Sequence, residues 1–278
     1  MMKIRSFLTL LLSLYLATPA VHSQMNCSVT NDVFLSGERL EYQLFYNVSF
    51  VWLQAGTCQF NTRSVTYNGK PAYKLSVDGK TFKSFDPFYR VRDTLISYVD
   101  PETMYPMRAY KFTHEDTWHG IDDFTFRKGP NDWRITTRLM RKKVWQPAEF
   151  SQTTKCGFDI LTSIYRLRCL VDPEIFVPKK RIEIPIRMDD GEYSVYLTYI
   201  GKSRIKLHKV GVYMAHQFHI TMVEGNVFKR GDVLKIWISD DKNRIPLLVE
   251  SPIKVGYVKA ILKTADKTRF PLQKSIQE

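Results

Sequence analysis

Beyond its N-terminal segment, this chain of 278 residues has no apolar run approaching the roughly 20 residues that a membrane-spanning helix needs. It also lacks the short motifs that announce common chemistries. There is no Gly-rich phosphate loop, no G-x-S-x-G elbow and no H-E-x-x-H, which removes the usual routes to nucleotide, serine-hydrolase and zinc-protease activity. No cofactor is expected from the motifs. Linkers rich in Pro, Gly and Ser, low-complexity tracts and obvious repeats are missing too, so nothing marks a domain boundary. Acidic residues are scarce: 28 Asp and Glu stand against 41 Lys and Arg, a formal net charge of +13.

The N-terminus carries one apolar run, and its order is that of a secretory leader. Lys3 and Arg5 supply a positive start, Phe7 to Ala17 an apolar stretch, and Pro19 to Ser23 a small-residue zone with Val21 and Ser23 at the −3 and −1 positions. Cleavage is expected after Ser23, giving residues 1–23 as signal peptide and Gln24 as the mature N-terminus. Gln24, Met25 and Asn26 precede the first cysteine and do not form a lipobox, so no acyl anchor is expected. After cleavage no transmembrane segment remains.

Four cysteines follow the leader, Cys27, Cys58, Cys156 and Cys169. An oxidising compartment allows three pairings of the four, and free buried thiols are the alternative. Pairing Cys156 with Cys169 is disfavoured because a helix between them would span about 20 Å, far beyond the roughly 7 Å a disulfide tolerates. The basic residues group as Arg138, Arg141, Lys142, Lys143, then Lys179 to Arg181, then Lys202 to Lys209. Nucleic acid is not expected as a partner of an exported chain. Lipid, glycolipid or anionic glycan suits the charge, and a merely solvated surface is the plain reading.

Period-two alternation dominates the rest. Leu40, Tyr42, Leu44 and Tyr46 share one face, as do Trp133, Ile135, Thr137 and Leu139. Ile182 to Met188, the turn Asp189-Asp190-Gly191 and Tyr193 to Tyr199 read as a hairpin. Strands continue over Val212–Met222, Val233–Ile238, Ile245–Val249 and Val255–Leu262, with turns at Gly201-Lys202, Gly231-Asp232 and Asp240 to Asn243. One segment, 158–171, changes to helical periodicity. Phe158, Ile160, Leu161, Ile164, Tyr165 and Leu167 form an apolar arc with Ile164 near its middle; Asp159, Thr162, Ser163 and Arg166 lie opposite, and Pro173 ends it. The expected fold is mainly β: a large curved antiparallel sheet, half-barrel or barrel-like, with one amphipathic helix near 158–171 packed on it or plugging it. Residues 24–278 form a single β-rich domain, or two β subdomains divided by that helix.

Four stretches together carry a family resemblance: Phe34 to Tyr42 with Ala55-Gly56; Val91-Arg92-Asp93, Ser97 to Thr103 and Pro106; Asp159 to Arg168; and Ile236 to Pro246. With them the chain resembles an exported Gram-negative family labelled domain of unknown function 3108. The resemblance implies a periplasmic or envelope location and no established activity, and it supplies no catalytic residues. In physical terms Gly37-Glu38 reads as a turn into a strand, Asp240 to Asn243 as a hairpin loop, and Arg92, Asp93 and Asp100 as a cross-strand ion-pair network.

His114, Glu115, Asp116, His119, Asp122 and Asp123 are the densest group of ligand-type side chains. His114, Glu115 and His119 are the weak metal candidates, although their spacing fits no standard site. His216 and His219 are an odd number apart on a strand and point to opposite faces. The pairs Asp189/Asp190 and Asp240/Asp241 could serve a glycan-cleaving enzyme but sit where turns favour Asp. No catalytic residue is assigned. What remains is shape: Trp52, Phe82, Phe85, Phe88 and Tyr89 are candidates to line an apolar ligand site or its lid, with Arg138, Arg141, Lys142 and Lys143 as an anionic-partner patch. The leading expectation is a non-enzymatic envelope protein that binds a hydrophobic or anionic amphipathic ligand. An envelope hydrolase acting on glycan or phosphate ester, and a scaffold or assembly factor for another envelope protein, are the alternatives.

Overall fold

The computed structural model describes residues 23–24, 27–48, 51–170, 173–188, 191–221, 233–253 and 256–275. The expected leader lies outside the described residues up to His22, as do the turns at Asp189-Asp190 and Gly231-Asp232. The strands, in chain order, are β1 Ser23–Gln24, β2 Arg39–Val48, β3 Val51–Tyr67, β4 Lys70–Thr81, β5 Arg92–Val99, β6 Pro106–Glu115, β7 Trp118–Lys128 and β8 Trp133–Arg141. They continue as β9 Val144–Trp145, β10 Glu149–Thr153, β11 Arg181–Met188, β12 Gly191–Leu207, β13 Gly211–Thr221, β14 Val233–Ser239, β15 Pro246–Pro252 and β16 Tyr257–Asp266. Among the described residues there is one α-helix, α1, at Ile160–Cys169, followed by a 3-10 helix at Pro173–Phe176, and no helix is long and apolar enough to cross a membrane.

All these strands belong to one sheet, in the order β1-β11-β12-β13-β14-β15-β16-β2-β3-β4-β5-β6-β7-β8-β10, with β9 on β8. Pairing is antiparallel throughout except for the short β1–β11 contact. The strand runs before and after α1 are joined where β16 pairs with β2. Among the described residues no ladder of backbone hydrogen bonds closes the sheet: β1 and β10 are its two edges. Side chains meet across the gap instead. Lys155 donates to Glu183 at 2.7 Å, Arg187 Nη2 donates to Thr137 Oγ1 at 3.0 Å, and a disulfide joins Cys27, just after β1, to Cys156, just after β10. Only Gln24 of β1 lies beyond the expected cleavage point.

Alternation places the core where the sequence pattern puts it over most strands. Leu40 and Tyr42 are buried while Glu41 and Gln43 are half-buried, and Trp133, Ile135 and Thr137 are buried while Arg134 and Arg138 are exposed. The exception is β11. Ile182 and Ile184 are buried, but Ile186 and Met188 are only half-buried and Arg187 is buried instead. Its backbone N–H donates to Phe158 O at 2.6 Å, so this strand end is part of the seam and is covered on both faces.

Helix α1 fills the concave side. Leu161, Tyr165 and Cys169 pack with Leu75, Val77 and Val99 of β4 and β5, while Leu167 packs with Ile182, Val195, Phe218 and Ile236 of the other run. Its amphipathic pattern is real, but the split does not separate core from solvent. Ile160 and Ile164 are half-buried, whereas Thr162, Ser163 and Arg166 are buried. An element held inside a curved sheet keeps only a narrow accessible strip, here at Ile160 and Ile164, so its polar groups on the other sides must find partners inside.

Candidate functional site

Those partners come from the four stretches singled out in the sequence. Asp159 is the N-cap of α1: it accepts from Thr162 N at 3.0 Å and from the Ser97 hydroxyl at 2.5 Å, satisfying an end amide that no helical bond reaches. Burial is the main influence on Asp159 and raises its pKa, opposed by the Ser97 and Thr162 donors. Arg166, 0% exposed, donates to Thr103 O at 3.0 Å and Met104 O at 3.1 Å. Its guanidinium also lies 4.1 Å from the Phe158 ring centre. Burial pulls Arg166 down to about 10.

Arg168 is the centre of the arrangement. It is 2% exposed and Glu38 1%, and the two form a bidentate pair at 2.6 and 2.9 Å. Burial pulls Arg168 down, but the Glu38 carboxylate overrides it and holds the guanidinium above its ordinary value. Arg168 also donates to Asn243 O at 3.1 Å, and Asn243 in turn exchanges hydrogen bonds with Phe270 O at 2.8 Å and Phe270 N at 2.9 Å. Gly37, at φ +95°, takes the left-handed turn that aims Glu38 inward, a conformation glycine adopts without steric cost. Arg244 closes the other end of α1 by donating to Leu170 O at 2.6 Å, a cation where the helix dipole is negative.

Below this end of α1 a cavity of about 380 Å³ opens. Leu167, Leu170, Phe176, Phe218 and Ile238 form its apolar wall, and His216, Asp240, Lys242 and Arg244 its polar mouth. His216 Nε2 lies 2.8 Å from Asp240 Oδ1 and its Nδ1 lies 3.1 Å from the Tyr199 hydroxyl, which fixes the ring. Lys202 completes the group by an ion pair with Asp240. Burial works against the ionised Asp240 carboxyl, yet Lys202 and His216 hold its pKa below the usual range. Asp241 is committed: its Oδ1 accepts from Ser239 Oγ, Asn243 N and Arg244 N of its own loop, as the turn reading of Asp240 to Asn243 expects, and its Oδ2 accepts from Gln273 N. This leaves Lys242, which is exposed, as the mouth's outward cation. Leu167 belongs to the helical apolar arc and Phe218 and Ile238 to expected strands, whereas Phe176 lies in no element the sequence pattern marks; that Asp240, Lys242 and Arg244 overlie them depends on strand order.

The aromatic residues expected to line a site stand elsewhere. Phe82 and Phe85 are half-buried in the β4–β5 connection, where Phe85 packs on Tyr46 at 6.0 Å. Phe88 is 77% exposed, Tyr89 44% and Trp52 38%. They lie at hairpin ends of the strands; Phe82 borders an open groove with Gln54, Thr57 and Lys80, and none of the five lines the cavity below α1. The basic patch is not one strand face either. Arg138 lies over Trp145 at 4.7 Å, and Arg141 is bound at 2.5 Å to the buried Asp122. Lys142 and Lys143 form the tight turn between β8 and β9, with Arg141 opposite Val144.

His114 and His119 are direct cross-strand neighbours with ring centres 4.6 Å apart, but the carboxylates around them are engaged. Glu115 accepts from the Tyr89 hydroxyl at 2.7 Å, Asp116 from Arg90 N at 2.8 Å, and Asp123 from Arg108 at 2.6 Å. Asp122 and Asp123 point to opposite faces of β7, and among the described residues no three His, Cys, Asp or Glu side chains come together as a metal set. Arg92, Asp93 and Asp100 do not pair with one another. Arg92 binds Asp86 at 2.7 Å, Asp93 accepts from His114 N at 2.8 Å, and Asp100 accepts from Glu102 N and Thr103 N within its own turn.

Asp93 supplies a pH signature. Burial chiefly, and the neighbouring Glu115, push its pKa from 3.8 up to about 6, against the His114 N–H bond. A carboxyl with a higher pKa folded than unfolded binds more protons in the folded state. Its contribution is therefore complete at low pH and is lost as pH rises from about 4 to about 6. Asp93→Asn keeps the acceptor for His114 N–H and removes the titration. The variant is expected to gain stability relative to wild type between about pH 4 and about pH 7. Parallel denaturant melts check this, and a difference that stays flat across the window rules it out.

No curated protein matches this chain. Among solved structures it is similar to a beta-barrel-like protein of the domain of unknown function DUF1849 from Brucella abortus, with 11% identity and a TM-score of 0.57 over 84% of this chain and 99% of that one. That likeness is one of fold. The profile of the family described as a protein of unknown function, DUF3108, matches residues 41–263, a span that takes in all of β3 to β15, α1 and the loop over the pocket, and the chain belongs to that family.

Proposed function

We propose that the protein is a non-enzymatic, exported envelope protein that binds a compact amphipathic anion. The observation that carries the reading is the 380 Å³ pocket, with an apolar wall below and Lys242 and Arg244 at its mouth. Pockets of this size hold small ligands, and a few placed polar groups over an apolar floor fix their orientation. Export to the periplasm or cell envelope is supported by the leader pattern at residues 1–23 and by the Cys27–Cys156 disulfide, a bond that belongs to oxidising compartments. A lipid, glycolipid or glycan phosphate supplies the chemistry; a long acyl chain does not fit, because α1 occupies the concave side.

Titration calorimetry with octyl phosphate, with octanol as the uncharged control, tests the reading. Wild type is expected to bind the phosphate and not the alcohol. Lys242→Glu, at an exposed position, is expected to weaken binding about tenfold, equivalent to ~1.4 kcal/mol, with an unchanged melting temperature. Absence of heat with octyl phosphate, together with a ligand-free native mass spectrum of protein taken from the envelope, removes the proposal. The filled concave side favours a second reading, a scaffold or assembly factor for another envelope protein. Crosslinking in cells that recovers one specific partner supports it.

A further inference from the structure

In an antiparallel meander alternate hairpin tips fall on one edge of the sheet. The β2–β3, β4–β5, β6–β7, β8–β9 and β15–β16 connections therefore share an edge, opposite the loop 239–246 that overlies the pocket. At or beside these tips stand Trp52, Phe88, Tyr89, Trp118, Trp145 and Tyr257, all among the exposed large hydrophobic residues. The hairpin connections on the opposite edge, 67–70, 99–106, 128–133, 207–211 and 239–246, contain no exposed large hydrophobic residue; the segments that enter β2 and β11 at that end add only Leu35 and Val177.

The aromatic edge is also cationic. Lys83, Lys142 and Lys143 are exposed there and form no ion pair among the described residues. Two of the rings already carry a cation on their face: Lys259 Nζ lies 4.3 Å from the centre of Trp52 and Arg138 Cζ 4.7 Å from that of Trp145. The β8–β9 turn adds an independent observation. Lys142 and Lys143 sit at φ +50° and +66°, left-handed at both central positions, a geometry that suits Asn-Gly. On the opposite edge the β3–β4 turn does use Asn68 and Gly69. Lysine at both positions works against the turn, so turn chemistry does not account for the pair.

We propose that this edge docks on a membrane surface bearing anionic phospholipid, with the aromatic rings in the headgroup region and Lys142 and Lys143 on the phosphates. Trp and Tyr favour the water–lipid boundary, and clustered lysines are drawn to anionic lipid. Neighbouring tips on one edge are two strands, roughly 10 Å, apart. The apolar groups come as short runs, Val51 to Leu53, Phe88-Tyr89 and Val144-Trp145, each beside the cations of its own or a neighbouring tip, an arrangement that suits a headgroup layer. The inference does not rest on the pocket, which uses other residues at the other ends of the strands.

Flotation of the purified, disulfide-bonded protein with phosphatidylglycerol-containing vesicles, against phosphatidylcholine alone, tests it. Binding is expected only to the anionic vesicles and is expected to weaken at physiological salt, since exposed charges are screened beyond about 8 Å there. Lys142→Asn with Lys143→Gly removes both charges and installs the residues this turn favours. That variant is expected to lose at least about fivefold in bound fraction, the loss of two headgroup-facing lysines, while melting no lower than wild type. Phe88→Ser with Trp118→Ser, at exposed positions, is expected to lose binding with its melting temperature retained. Wild type that floats with neither vesicle, floats equally with both, or binds undiminished in both variants overturns the proposal.

Discussion

Arg168→Leu is expected to destabilise the protein by about 3–5 kcal/mol, the range for removing one member of a buried ion pair. The loss is large because of what is left behind. Glu38, 1% exposed, would keep a carboxylate with both oxygens stripped of their donors, and the Asn243 carbonyl would lose one of the bonds that tie loop 239–246 to α1, the Arg244 bonds remaining. Arg168→Lys is expected to recover little, since an ammonium on a flexible stem cannot make the two parallel bonds of the guanidinium fork. The double variant Arg168→Leu, Glu38→Leu is expected to recover most of the loss, because an apolar pair removes the stranded charge along with the bridge. Urea melts of the three variants check this through their midpoints. A single variant within about 1 kcal/mol of wild type, or a double variant no better than the single, would show that the pair is not the support described here.

The cost falls on Arg168 rather than on the residue the helical pattern points to. Ile164 lies near the middle of the apolar arc, and Ile164→Asp looks from periodicity like the most damaging change in the helix. In the folded chain Ile164 is half-buried, so an aspartate there keeps access to water and the penalty shrinks. Periodicity reports which side chains are apolar, and it locates α1 correctly between 158 and 171. It cannot report that the helix is enclosed, because enclosure comes from the strands that wrap it. Glu38 was hidden for a related reason. Gly37-Glu38 has the composition of a turn, and it is one, but its partner is 130 residues away.

The strands themselves were legible, since alternation is a local signal, and so was the curved antiparallel class of the sheet. The exposed aromatics were legible as a group but not as a place. Phe88, Tyr89 and Trp52 carry the composition of a ligand lining, and only the up-and-down order of β2 to β6 shows that they stand at hairpin tips. Arg141 shows the same limit in charge: it belongs to a basic cluster in sequence, yet its guanidinium is committed to Asp122. The pocket mouth combines His216 with Asp240 and Arg244 from a neighbouring loop, a juxtaposition set by the β13–β14 pairing.

Reducing the Cys27–Cys156 bond is expected to lower the melting temperature by roughly 10–20 °C, from a loss of about 5 kcal/mol. The bond closes a loop of 129 residues of separation, and releasing a loop that long returns much conformational entropy to the unfolded chain. Its position adds a folded-state effect. Cys27 follows β1 and Cys156 follows β10, the two edge strands of the sheet, so the disulfide holds covalently a seam that no run of backbone hydrogen bonds closes. Without it the seam keeps the Lys155–Glu183 and Arg187–Thr137 contacts. The Lys155–Glu183 pair is partly exposed and so contributes modestly. Amide exchange is therefore expected to rise first in β10 and the start of β11, while β2 to β5 stay protected. Cys27→Ser with Cys156→Ser should reproduce the reduced state, and Cys58→Ser should not, because Cys58 forms no disulfide. Reduction that moves the melting temperature by a degree or two, or exchange that rises uniformly over the sheet, would show that side chains alone hold the two edges together.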